Sequence, residues 1–212
     1  MQAIEDAQVV LMLLDAQEGV TEQDASLIGF IGETGRALVI AINKWDGLSQ
    51  DQREKVNREL DLKLRFINYA RIHYISALHG SGVGNLFESI QEAYTSAYAE
   101  FATPRLNRML ETFVSENPPP LVKGRRIKLR YAHQGGKNPP IIIIHGNQTG
   151  AVPDSYRRYL INAFRKQLRL HGTPLRIEFK SGENPFKGRK NKLTDRQIAR
   201  RKRLIKHVKK NK

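Results

Sequence analysis

Apolar residues in the first hundred positions form two continuous runs, VVLMLLD at 9–15 and ALVIAIN at 37–43, and a shorter one, RIHYISA, at 71–77. A run that is apolar at every position leaves no face for water, which suits strands of a parallel sheet covered on both sides. Residues 21–33, 50–65 and 85–99 space their apolar positions as amphipathic helices do. Thr21 with Asp24 three positions on predicts an N-cap. Three strand-then-helix units in order specify an α/β layer with right-handed crossovers.

Beyond Thr103-Pro104 the period changes. Residues 106–114 predict a helix that Asn117-Pro118-Pro119-Pro120 stops. RIKLRYA at 126–132 alternates apolar and basic residues at period two, as a half-exposed strand does. A turn over 134–140 leads into IIIIH at 141–145, its expected partner. Residues 154–171 form a long amphipathic helix with Tyr156, Leu160, Phe164 and Leu168 on one face, and 175–179 is the last strand. The expected organisation is an α/β portion over 1–100, then a small α+β domain, α-β-β-α-β, over 101–180. Apolar residues are scarce from Ser181 onward, so 181–212 reads as a flexible tail whose residues 196–208 can become helical on binding.

Charge sharpens this division. The net +15 is distributed as 8 Lys/Arg against 15 Asp/Glu in residues 1–100, 15 against 4 in 101–180, and 13 against 2 in 181–212. An acidic first part and a strongly basic remainder set up a one-sided positive field that concentrates a polyanion, with RNA the expected one. An anionic membrane is not expected, because the tail lacks large apolar residues to bury in an interface. No apolar run approaches the roughly 20 residues needed to cross a bilayer, and MQAIEDAQ lacks the order of a signal peptide, so a cytoplasmic protein is expected. There are no cysteines, and the 6 histidines never fall at a metal-ligand spacing, which removes thiolate chemistry and predicts no metal site.

The sharpest local signal is Asn43-Lys44-Trp45-Asp46 directly after a buried strand, with Ser76-Ala77 at the end of the next. Ligands of parallel α/β sheets bind beyond the carboxyl ends of the strands, where both segments lie. The turn resembles the base-reading turn of GTPases. That resemblance implies that the Asp46 carboxylate accepts the two neighbouring N–H donors of guanine, a pair adenine cannot offer. It also implies that Asn43 meets the other edge or braces the loop, that the stem of Lys44 lies along the base plane, and that a backbone N–H near Ala77, after Ser76, donates to the guanine carbonyl. Asp15 belongs to the same end of the sheet and is expected to shape its loop. No G-x-x-x-x-G-K-[ST] phosphate cradle or Asp-x-x-Gly segment occurs, and His79-Gly80-Ser81-Gly82-Val83-Gly84 lacks the lysine such a cradle uses.

DAQVVLMLLDAQEGVTEQD, ALVIAINKWDGLS, YISALHGSGVGNLFESI, KLRYAHQGGKNPPIIIIHGNQ and SYRRYLINAFR resemble the Der (EngA) family of bacterial GTPases, across essentially the whole chain. That family carries two tandem GTPase domains and a KH-like domain. The resemblance therefore implies the last three strands of the second GTPase-type sheet, without its P-loop half, followed by the KH-like domain and a basic tail. It implies GTP or GDP as ligand, Mg2+ only in the intact protein, and ribosomal RNA and the large ribosomal subunit as partners of a ribosome-associated monomer. Ordinary KH modules grip nucleotide backbones with a Gly-x-x-Gly loop between helices, and none is present here. RNA contact is instead expected from Arg125, Arg126, Lys128 and Arg130 on a strand, supported by Arg157, Arg158, Arg165 and Lys166 on a helix. Part of that surface can alternatively dock the nucleotide-binding portion. Lys187, Arg189, Lys190, Arg200, Arg201, Lys202 and Arg203 in the tail are expected to add affinity more than specificity.

The competing expectation is a catalytically inactive piece that binds RNA or the ribosome without nucleotide turnover. Under either reading, the pure 212-residue chain is expected to release no phosphate from GTP. Magnesium-dependent turnover in a phosphate-release assay would contradict this.

Overall fold

From Ala37 to Ile42 every side chain is at most 1% exposed, which places β2 (Ala37–Asn43) at the centre of a parallel sheet, between β1 (Val9–Asp15) and β3 (Arg71–Tyr74). The computed structural model describes residues 2–122, 124–181 and 203, with Arg125 in its backbone alone. Met1–Ser181 form one compact unit and Gly182–Lys212 a second, of which only Arg203, helical and exposed, is described.

A short α1 (Gln2–Asp6) precedes β1 (Val9–Asp15), which pairs with β2 in register from Val9 opposite Ala37 to Asp15 opposite Asn43. α2 (Glu22–Thr34) starts at the expected cap: Thr21 Oγ1 accepts from the Asp24 N–H at 3.1 Å and the Asp24 carboxylate accepts from the Thr21 N–H at 3.0 Å. α3 (Gln50–Lys63) opens with the same reciprocal device between Ser49 and Gln52. β3 (Arg71–Tyr74) and α4 (Gly84–Ala97) complete the layer. Leu38, Ile40 and Ile42 face one side of the sheet, with Ile28, Ile31, Val56 and Leu60 of α2 and α3. Ala37, Val39 and Ala41 face the other, beneath Leu86, Ala93 and Ala97 of α4. β1 lies at the sheet edge with Leu11 37% and Leu13 52% exposed.

The third strand is shorter than its apolar run. The Ile75 N–H still donates to the Ile42 carbonyl at 2.9 Å, but the Ile75 carbonyl accepts from Trp45 and Ser76 pairs with Ser81. Ser76 and Ala77 thus belong to the loop beyond the strand.

In the second part, α5 (Thr103–Glu116), β6 (Lys128–Gly136), β7 (Ile141–Asn147), α6 (Asp154–Leu168) and β8 (Arg176–Ser181) follow in the expected α-β-β-α-β order. The sheet is β6-β7-β8, antiparallel then parallel. Leu106, Leu110 and Phe113 of α5 and Tyr156, Leu160 and Phe164 of α6 pack on Ala132, Ile142, Ile144 and Ile177. Each buried Leu, Ile or Phe contributes roughly 1.5–3 kcal/mol, well above differences in helix propensity, so packing decides which helical face turns inward. A two-residue hairpin, β4 (Leu121–Val122) with β5 (Arg125–Arg126), has too few positions to show a period.

β6 departs from simple alternation. Leu129 pairs with Gly146 and Tyr131 with His145, so Arg130 is an extra residue without a partner. This bulge sends Tyr131 to the face of Lys128 instead of that of Leu129. Lys128 and Arg130 are both exposed, yet they do not alternate with Leu129 and Tyr131 as RIKLRYA suggests.

The two parts meet through main chain. The Gly172 carbonyl accepts from the Leu38 N–H at 2.6 Å, and the Gly172 N–H donates to the Tyr69 carbonyl at 2.8 Å. Gly172 has φ +68°, and an added Cβ would lie 2.3 Å from the Ala93 Cβ. Gly172→Ala is therefore expected to cost about 2–4 kcal/mol, from left-handed backbone and overpacking combined. Gly150, with nothing within 4 Å of an added Cβ, is the control, and urea unfolding followed by circular dichroism measures both.

Candidate functional site

The carboxyl ends of β1, β2 and β3 bring Asp15, the Asn43 to Asp46 turn and Ser76-Ala77 into one cluster. Lys44 takes a left-handed backbone (φ 61°), which reverses the chain into a 3-10 turn, Trp45–Gly47. The Lys44 ammonium pairs with the Asp15 carboxylate, and the Gln17 N–H donates to Asp15 Oδ1 at 2.9 Å. That pairing and its hydrogen bond hold the Asp15 carboxyl below its usual range and lift Lys44 above its own. Trp45 anchors the turn, its ring 4.2 Å from that of Tyr74 and the Arg53 guanidinium 5.6 Å from its centre.

Asn43 Oδ1 accepts the Ala77 N–H at 2.9 Å and so ties the two loops together. The bracing role expected of Asn43 is thus carried by its Oδ1. The Ala77 N–H is therefore already engaged, and a ligand carbonyl must share it or take a neighbouring donor. Ser76 is buried, and its Oγ accepts the His79 N–H at 3.3 Å.

Asp46 stands at the exposed mouth, its carboxylate 3.3 Å from His79 Nε2. The adjoining Ser76 hydroxyl, ahead of the charges of His79 and Arg53, holds the Asp46 carboxyl below its usual range. Ionised at neutral pH, it can accept two N–H donors from a planar ligand. The sequence places the loop from His79 to Gly84 beside the base site but gives His79 itself no role. Its signal is the glycine-rich HGSG stretch, where Gly82 (φ +76°) turns the loop back, leaving 2.7 Å between an added Cβ and the Tyr74 carbonyl. Among the described residues no cluster of three or more His, Asp or Glu could hold a metal ion.

The basic candidates divide. Arg126, Lys128 and Arg130 are exposed on the second sheet and its hairpin, whereas the Arg125 side chain and Lys187, Arg189, Lys190, Arg200, Arg201 and Lys202 lie outside the described residues. Arg203 is exposed. Arg165 belongs elsewhere: its guanidinium donates to Asn68 at 2.6 Å, and burial lowers its pKa. It joins the two parts, as does Arg176, which donates to the Glu33 carbonyl. Arg157 lies 5.5 Å from the centre of the Phe179 ring.

Residues 101–180 match the KH-domain-like family of EngA bacterial GTPase enzymes, C-terminal, and residues 1–96 match the elongation factor Tu GTP binding domain. GTPase Der of Hahella chejuensis is 61% identical over 210 residues, 99% of this chain and 44% of that protein. The chain belongs to the Der (EngA) family. GTPase Der of Klebsiella pneumoniae is 60% identical over 212 residues, all of this chain and 43% of its own length. The chain thus spans less than half the length of these Der relatives. An Era structure from Aquifex aeolicus aligns at TM-score 0.39 and 20% identity, over 85% of this chain and 67% of that one, a likeness too loose to inform the site.

Among the described residues no helix is long and apolar enough to cross a membrane.

The Lys44 and Asp15 pair has a direct test. Lys44→Met is expected to move the Asp15 carboxyl titration upward toward the ordinary carboxylate midpoint, followed by carbon-detected NMR. The folded value is depressed, so whatever the pair contributes is present above the unfolded midpoint and is lost as pH falls through the folded one.

Proposed function

We propose that this chain supplies the guanine-reading side of a Der-family nucleotide site together with an RNA-contacting domain. Residues 1–100 would be the C-terminal half of a GTPase domain, 101–180 the KH-like domain and 181–212 a basic tail. The observation that carries the reading is the Asn43 bridge to the Ala77 N–H, which fixes two loops around one ionised carboxylate, Asp46. Asp46 takes the N–H pair of guanine and the Lys44 stem flanks the base, while Asn43 and Ser76 hold the loops. GTP or GDP is the ligand. Phosphate and Mg2+ contacts belong to residues other than these.

Arg125, Arg126, Lys128 and Arg130 face ribosomal RNA in this reading, and the tail from Lys187 to Arg203 adds phosphate contacts. Support comes from the charge of 101–180, 15 Lys/Arg against 4 Asp/Glu, and from the exposure of Arg126, Lys128 and Arg130. The partner is the large ribosomal subunit during assembly in the cytoplasm, with the chain acting as a monomer.

Xanthine presents a carbonyl where guanine presents an amino group, so an amide at position 46 reverses the hydrogen-bond match. In this chain, GDP is expected to shift the amide resonances of Asn43, Asp46 and Ala77. Asp46→Asn should weaken GDP by about 10- to 100-fold, the loss of a charge-assisted pair, and favour xanthosine diphosphate. An unchanged preference for GDP would sink the assignment.

A further inference from the structure

The bulge at Arg130 places two rings of β6 and one of β7 on the sheet face opposite α5 and α6. Tyr131 pairs with His145 and His133 with Ile143. The imidazoles of His133 and His145 stack, 5.1 Å apart at 21°. The Tyr131 ring lies 5.5 Å from His133 and 5.9 Å from His145. Tyr131 is 45% exposed, and both histidines are partly exposed. Lys180 pairs with His145 on the same row, and Lys128 and Arg130 stand exposed beside it. One carboxylate, Glu178, lies across from Ile143. Ile143 itself is 9% exposed, and its side chain lies over Gly135, where an added Cβ would come within 2.4 Å.

We infer that this face stacks the unpaired bases of single-stranded RNA. Three adjoining rings offer flat π surfaces, and three cations against one carboxylate favour a polyanion, so the complementary partner carries both planar rings and phosphates. Base stacking on aromatic side chains needs bases free of a duplex, whereas cations alone hold either form. The face therefore supplies single-strand preference, which the arginines and lysines of the proposed RNA surface cannot. This inference rests on the RNA reading above and adds which form of RNA is held, and by which residues.

Fluorescence anisotropy of the whole chain with a labelled, unstructured RNA strand, and with the same strand annealed to its complement, tests it. Tyr131→Ala and His145→Ala should each weaken the single strand about tenfold and leave the duplex within about twofold, by the usual size of a stacking loss. Tyr131→Phe should bind as wild type, which separates ring loss from misfolding. Lys128→Ala should weaken both forms alike and lower the salt slope by about one. Equal loss for both RNA forms, or no loss on Tyr131→Ala, would overturn the stacking role while leaving RNA contact standing. If wild type binds neither form, the RNA reading fails with it. Sedimentation showing a wild-type dimer that Tyr131→Ala dissociates would assign the face to a second copy and overturn the inference.

Discussion

Strand β2 is the constraint on which both ends of this molecule depend. Its side chains are closed to water on both faces, so it cannot slide by a residue without exchanging two differently shaped cores. At its start the Leu38 N–H is held by Gly172 of the second part, and at its finish Asn43 reaches across to Ala77. One buried strand thereby fixes where the basic domain sits and where the Asp46 turn points. A glycine is required at the first junction because Ala93 leaves no room for a Cβ and the backbone is left-handed.

At the other end of the strand, the cluster is organised by pairing rather than by burial. Asp15 neutralises Lys44, Asn43 uses its carbonyl oxygen on Ala77, and Ser76 turns inward, so the carboxylate left at the mouth is Asp46 beside His79. Lys44 and Asn43 are committed away from Asp46, whose carboxylate is met by Ser76 and His79. Preorganisation of this kind limits the reorganisation that a ligand must drive. The same economy governs the second part, where Arg165 and Arg176 are committed to joining the two parts and exposed cations remain on the sheet and hairpin.

The β6 bulge shows how one residue alters chemistry. With regular pairing, Tyr131 would fall on the helix-covered face with Leu129. With Arg130 as the extra residue, it joins His133 and His145 in the open. Close passage of Gly146, where a Cβ would lie 2.1 Å from the Lys128 carbonyl, belongs to the same distortion.

The sequence by itself determined the α/β start, the order of the longer elements through the second part, the Thr21 cap and the Asn43 to Asp46 turn. Each is written in local periodicity or in a residue whose side chain bonds its own neighbourhood, so no distant contact is needed to read it. Family membership was legible for the same reason, since the matching stretches are continuous. Tertiary structure alone decided that β3 ends before Ser76, that Asn43 Oδ1 braces the Ala77 loop, that the His79 ring meets the Asp46 carboxylate, and that Arg165 joins the two parts. It alone decided the face of Tyr131. These outcomes depend on pairing register and on residues far apart in the chain: a bulge leaves no mark on composition, and a hydrogen bond from Ala77 to Asn43 spans positions that no period connects.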